Sequence, residues 1–138
     1  MKYILLITFL LGLGITTGCS ATGTASVSLE QTTWQLDQLG TQPALKERPV
    51  TLVFQADDST VGGGAGCNSY GGRYSLNDNQ LTISDLASTL MACEESEIME
   101  QEQKFLTSLG QAAGYKLEGN HLTILDANGI SLLSFVAR

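Results

Sequence analysis

The stretch GGGAGCNSYGG, residues 62–72, places six glycines around Cys67, Asn68 and Ser69, a combination able to cradle a phosphate or expose a nucleophile. A phosphate loop needs a Lys and a Ser or Thr after its last glycine. Here Gly66-Cys-Asn-Ser-Tyr-Gly71 is followed by Gly72 and Arg73, and no helical pattern opens there to supply a terminus of free N–H groups. The dinucleotide pattern fails as well, because Ser69 stands where G-x-G-x-x-G, read from Gly64, needs its last glycine. Cys67-Asn-Ser69-Tyr-Gly71 is one glycine short of a nucleophile elbow, and an elbow requires a strand turning into a helix.

Any base for a Ser or Cys nucleophile would be His121, the sole histidine. It lies beside a Gly119-Asn120 turn, on the strand face opposite Leu122 and Ile124, a position that suits a partly exposed strand residue. A Cys–His hydrolase built from Cys67 or Cys93 with His121 stays open as an alternative. A further cluster, Glu94, Glu95, Glu97, Glu100 and Glu102, has the charge for a metal site but occupies one helix face without a ligand loop. The expectation is a solvated helix start matched to the macrodipole, and no metal or other cofactor is assigned.

The elements that position these residues follow from periodicity. Apolar and polar side chains alternate over Trp34–Leu39, Val50–Phe54, Thr60–Gly62, Tyr74–Leu76, Leu81–Ile83, Tyr115–Leu117, His121–Leu125 and Ile130–Val136. Turns rich in Asp, Asn and Gly join them, which argues antiparallel hairpins. Between Glu94 and Ala113 the period changes: Ile98, Phe105, Leu109 and Ala112 form one helical stripe, with Leu106 beside it. Glu100 and Lys104 can pair at i, i+4, and Gly114 can serve as the residue after the helix cap. The expected fold is α+β: a strongly curved antiparallel sheet or partial β-barrel packed around a single helix at about 96–112. In it the glycines serve shape, since glycine inside a strand marks a bend or a close approach of a second segment.

Charge and the N-terminal segment limit the partners. Fourteen Asp and Glu outnumber seven Lys and Arg, so nucleic acid is excluded and an anionic membrane would repel the domain itself. Met1-Lys2-Tyr3 precedes an apolar run from Ile4 to Ile15, too short for a span of roughly 20 residues and apt for a signal peptide at 1–18. Thr16-Thr-Gly-Cys19 resembles a bacterial lipobox, with Thr16 where Leu, Val or Ile is usual. This resemblance implies acylation of Cys19; the small polar residues that follow, without periodicity, read as a flexible tether over 19–32, and the remaining length suits a single folded domain over 33–138. With Cys19 so committed, Cys67 and Cys93 are the two cysteines left in an oxidising compartment, and a disulfide between them is expected; two buried free thiols are the alternative.

An ordered set of short motifs carries a family likeness: Trp34-x-Leu36, Gly66-Cys67-Asn68, Gly72-x-Tyr74, Thr89-Leu-Met91-Ala-Cys93, Glu102-Gln-Lys-Phe105-Leu106, Tyr115, and Gly119-Asn120-His-Leu122. Together they resemble the META domain, also called HslJ-like, from about Trp34 to the C-terminus. The resemblance implies a small envelope domain, frequently a lipoprotein, of antiparallel strands wrapped around one helix, in a family linked to heat-shock induction and resistance to certain antibiotics. It supplies no catalytic residues. The expected function is a non-enzymatic, monomeric envelope lipoprotein facing the periplasm, a stress-related accessory or binding module for an envelope protein. The alternatives are a carrier of a small apolar ligand or acyl chain, and a secreted or soluble periplasmic form.

Overall fold

Alternating side chains do produce antiparallel strands in the computed structural model, which describes residues 27–138. The segment expected to be a signal peptide, Cys19 and the expected tether up to residue 26 lie outside the described residues. The strands are β1 (Trp34–Leu39), β2 (Gln42–Pro43), β3 (Thr51–Gln55), β4 (Thr60–Gly64), β5 (Ser69–Asn77), β6 (Gln80–Ser88), β7 (Gly114–Glu118), β8 (His121–Leu125) and β9 (Ser131–Ala137). The single helix, α1 (Ser96–Gly110), falls between β6 and β7. Neighbours in the sheet run β2-β1-β3-β4-β5-β6-β7-β8-β9, and β1 also pairs with β9, so the strands from β1 to β9 form a ring with β2 as a spur. The fold is thus dominated by antiparallel sheet, with one helix added.

The ring is not uniform. β5 and β6 pair along most of their lengths, whereas β6 and β7 share only Gln80↔Gly114. Helix α1 packs against β6 and β9. The apolar stripe is buried as its spacing requires, with Ile98, Phe105 and Leu109 facing inward. Phe105 meets Tyr70 edge-on at 5.3 Å between ring centroids and Phe135 at 6.4 Å. Trp34, Phe54, Phe105 and Phe135 head a set of fully buried side chains that fills the space between strands and helix.

Three details depart from the sequence reading. The helix ends at Gly110 and is capped by Gln111, whose backbone N–H donates to the Ser108 carbonyl at 3.1 Å, while Ala112 N donates to the Leu109 carbonyl at 3.2 Å. Gly114 is therefore not a helix terminator. It opens β7, where an added Cβ would lie 3.2 Å from the Asn79 carbonyl oxygen. The folded domain, expected to begin at residue 33, takes in earlier residues, because Leu29 is core and its carbonyl accepts the Trp34 indole N–H at 2.9 Å. Glu30 bridges to Phe54, and Gln31 N donates to the Phe54 carbonyl at 3.0 Å. A lone leucine in a polar stretch has no period to betray it, but the buried indole needs an acceptor. Finally, Glu102 is not solvated: it is 5% exposed, on the buried side of α1.

Candidate functional site

The glycine stretch is a hairpin. Gly62, Gly63 and Gly64 close β4, Gly71 and Gly72 lie in β5, and the register sets Gly62 opposite Gly71 and Val61 opposite Gly72. At the tip, Ala65 N donates to the Asn68 carbonyl at 2.7 Å, and Gly66 takes a φ of +113° that side chains resist. At Gly63 a Cβ would lie 2.2 Å from the Thr51 carbonyl oxygen. That carbonyl accepts the Tyr70 hydroxyl at 2.8 Å. Glycine is what lets β3 come this close, so the stretch does serve shape.

The tip then presents Cys67 and Asn68 to two other segments. Cys67 is joined to Cys93 by a disulfide, with Cα atoms 6.0 Å apart, which ties the hairpin to the entrance of α1. Asn68, 4% exposed, uses both ends of its amide. Its Oδ1 accepts from the Thr89 hydroxyl and from Met91 N, each at 2.7 Å, and its Nδ2 donates to the Met91 carbonyl at 3.2 Å and to Glu102 Oε1 at 2.6 Å. Glu102 Oε2 accepts the backbone N–H groups of Asn68 at 2.7 Å and Cys67 at 3.0 Å. Three N–H donors thus meet the buried carboxylate, which is the condition for burying it without large cost.

Four of the motif residues named above, with the two cysteines, converge here or border the cluster. Gly66, Asn68 and the Met91 backbone form it with the two cysteines, and Phe105 supports it one turn along α1 from Glu102 through Tyr70. Trp34 and Tyr74 belong elsewhere: Trp34 holds Leu29, while Tyr74 packs on Phe54 at 5.0 Å and donates its hydroxyl to Glu30. Burial pushes the Tyr70 phenol well above its ordinary value. Burial, and then the hydrogen bond to Glu30, do the same for Tyr74.

Sequence reasoning missed Glu102 as a cluster member by grouping it with its acidic neighbours. A signal was present: it lies four residues after Ile98, three before Phe105 and seven before Leu109, inside the apolar stripe.

The Cys–His reading loses its thiols. Cys67 and Cys93 carry no thiol, Ser69 is exposed with its N–H bonded to Thr89 Oγ1, and His121 sits exposed on β8 opposite Glu118 and Val136. Among the described residues no three His, Cys, Asp or Glu side chains are grouped to hold a metal. What the cluster does is bind three segments together: the β4–β5 tip, residues 89–93, and α1. Lys104 Nζ meets Glu100 Oε1 at 2.6 Å on the outer face, as the i, i+4 spacing implies, and holds the Glu100 carboxyl below its ordinary range.

Away from the cluster, a surface hollow of about 260 Å³ lies between α1 and the chain around β2, lined by Leu39, Pro43, Leu45, Gln101 and Lys104 among others. Gln101 Oε1 accepts Leu45 N there at 2.7 Å. Among the described residues no helix is long and apolar enough to cross a membrane.

Known structures share this fold. An NMR structure of a protein from Burkholderia xenovorans superposes with a TM-score of 0.64 at 25% identity, covering 80% of this chain and 83% of that one. A second NMR structure gives 0.62 at 23% identity over 80% of this chain and 94% of its own. A crystal structure of a DUF4847 family protein from Bacteroides vulgatus gives 0.54 at 17% identity, over 75% and 90% respectively, a likeness of fold alone. Among curated proteins none matches the sequence. The META domain family matches residues 27–138, from the Leu29 clamp through the disulfide-bonded cluster to the last strand, and the chain belongs to that family.

Proposed function

We propose that the protein is a non-enzymatic lipoprotein of the cell envelope, acylated on Cys19 and facing the periplasm, where the monomeric domain acts as a stress-related accessory or binding module. The observation that carries this reading is the Cys67–Cys93 disulfide and the hydrogen-bonded cluster built on it. Disulfides persist in oxidising compartments, which fits export behind a signal peptide. The same bond removes both domain thiols from nucleophilic chemistry, and His121 lies outside the cluster, which weighs against the Cys–His hydrolase. Seen this way, the ring of strands is a partial barrel with α1 packed on β6 and β9.

A carrier of an acyl chain is the less favoured reading. The space between sheet and helix is occupied by Trp34, Phe54, Phe105 and Phe135. The hollow beside Gln101, about 260 Å³, and a larger one of about 510 Å³ bordered by Leu36 and Val136 are lined in part by charged side chains, Glu100 and Lys104 in the first and Asp37, Lys46 and Arg138 in the second, where an acyl chain needs predominantly apolar walls.

Metabolic labelling with a fatty-acid analogue tests the anchor. The wild type should take up label and partition into detergent, and Cys19→Ala should lose both properties. Wild type found unlabelled in the soluble fraction would mean cleavage elsewhere and a secreted or soluble periplasmic protein.

A further inference from the structure

The segment Thr89–Glu97 is almost wholly exposed, yet its backbone is held. Thr89 N donates to the Ser69 carbonyl at 3.0 Å, and the Thr89 hydroxyl donates to Asn68. Both backbone groups of Met91 bond to the Asn68 amide. Cys93 is fixed by its disulfide, and Ile98 is buried just beyond. Between these fixed points Leu90 is 97% exposed and Met91 58% exposed. Scattered exposed leucines are ordinary. A leucine at the summit of a segment fixed on both sides is a different case, because the ordering entropy that binding would demand has been lost already on folding.

The second half of the segment is acidic. Glu94, Glu95 and Glu97 are exposed, and the cation beside them is Arg48, whose Nη2 lies 4.0 Å from Glu95 Oε1. An apolar tip followed by carboxylates selects among occupants by charge. An anionic lipid surface would be repelled. A second copy of this chain, itself of net charge −7, would set acid against acid. A protein whose apolar cleft is bordered by lysines and arginines would be complementary in both respects.

We propose that Thr89–Glu97 is a preformed docking strap for an envelope protein presenting an apolar cleft with a basic rim, in which Leu90 is the central anchor and Glu94 and Glu95 meet the rim. Thr89 N and both backbone groups of Met91 are already bonded to Ser69 and Asn68, so recognition runs through side chains and not through strand addition. This rests on the reading of the domain as an envelope binding module, and it names the chemistry of the partner.

Photocrosslinking in the cells that make the protein tests it, using the full-length chain with p-benzoylphenylalanine in place of Leu90 and, as a control, in place of exposed Asn128. The expected result is one protein adduct from position 90, absent from position 128, and largely lost when Glu94→Lys and Glu95→Lys are added. With that partner purified, Leu90→Ser should weaken binding roughly tenfold or more, as for a central interface side chain, and wild-type binding should weaken with salt. Met91→Ser, which keeps the backbone bonds to Asn68, should also weaken binding while the melting temperature stays at the wild-type value. A lipid adduct, an adduct to a second copy, an adduct indifferent to the charge reversals, or no adduct would overturn the strap. An adduct from position 128 alone would overturn the strap while leaving the module reading intact, whereas loss of fatty-acid labelling would strike the anchor alone.

Discussion

A carboxylate set among Ile98, Phe105 and Leu109 ought to oppose burial, and Glu102 is nonetheless 5% exposed because three N–H groups point at it. Glu102→Gln keeps one acceptor but sets an NH2 against a donor, leaving a buried group unsatisfied. The variant should lose about 1–3 kcal/mol in denaturant unfolding. An equal midpoint and slope would mean the cluster contributes nothing to stability. Tyr70 gives a second test at this scale. Its phenol is held neutral by burial, so its folded pKa lies above the value of about 10 for an unfolded tyrosine. Below that value both states are protonated and the full contribution is present; above it the unfolded chain ionises first and stability is lost. Tyr70 should remove about 1.4 kcal/mol per pH unit above pH 10, and Tyr70→Phe should lose that share of the slope. Unfolding free energies of both proteins between pH 9 and 11 decide it.

Among the elements, the helix and the glycine hairpin make opposite demands on volume. Phe105 is fully buried between Tyr70 and Phe135, so Phe105→Ala should cost ~3–5 kcal/mol by calorimetry or denaturant. In β4 the demand is for emptiness. A Cβ on Gly63 would meet the Thr51 carbonyl, whereas on Gly64 it would meet only the Thr51 hydroxyl at 3.7 Å. Gly63→Ala should therefore cost about 1–3 kcal/mol or more, and Gly64→Ala should fall close to neutral. Similar effects at the two positions would count against the close approach of β3.

The strands were legible because one face is buried and one is wet, which writes a period of two into Val50–Phe54 or His121–Leu125. The helix was legible for the same reason at a longer period. The cluster was legible only in part. The pairing of Cys67 with Cys93 followed from compartment and count, but the partners of Asn68 and Glu102 are tertiary, set by a hairpin tip meeting a helix 34 residues away. Two-residue β2 and the Leu29 clamp carry no period at all.

Over the whole molecule the disulfide spans 26 residues of sequence, including all of β6. The chain-entropy account values a loop of that size at about 3.5 kcal/mol. That is a large fraction of the ~5–15 kcal/mol that holds an ordinary domain together. Reduction should lower the unfolding free energy by about that amount, measured on oxidised and reduced protein at one pH. A reduced protein as stable as the oxidised one would show that the hydrogen-bonded cluster suffices.

The pairing of β1 with β9 brings Trp34 opposite Ala137, and Arg138 N donates to the Thr33 carbonyl at 2.9 Å. The seam between first and last strand is thus paired as fully as β7 with β8 or β8 with β9. A chain resealed across it by a short flexible linker and opened at the exposed Gly119–Asn120 turn would keep every pairing, with β8 as its first strand. Where synthesis starts is then a matter of history, and the shape belongs to the cycle of neighbours.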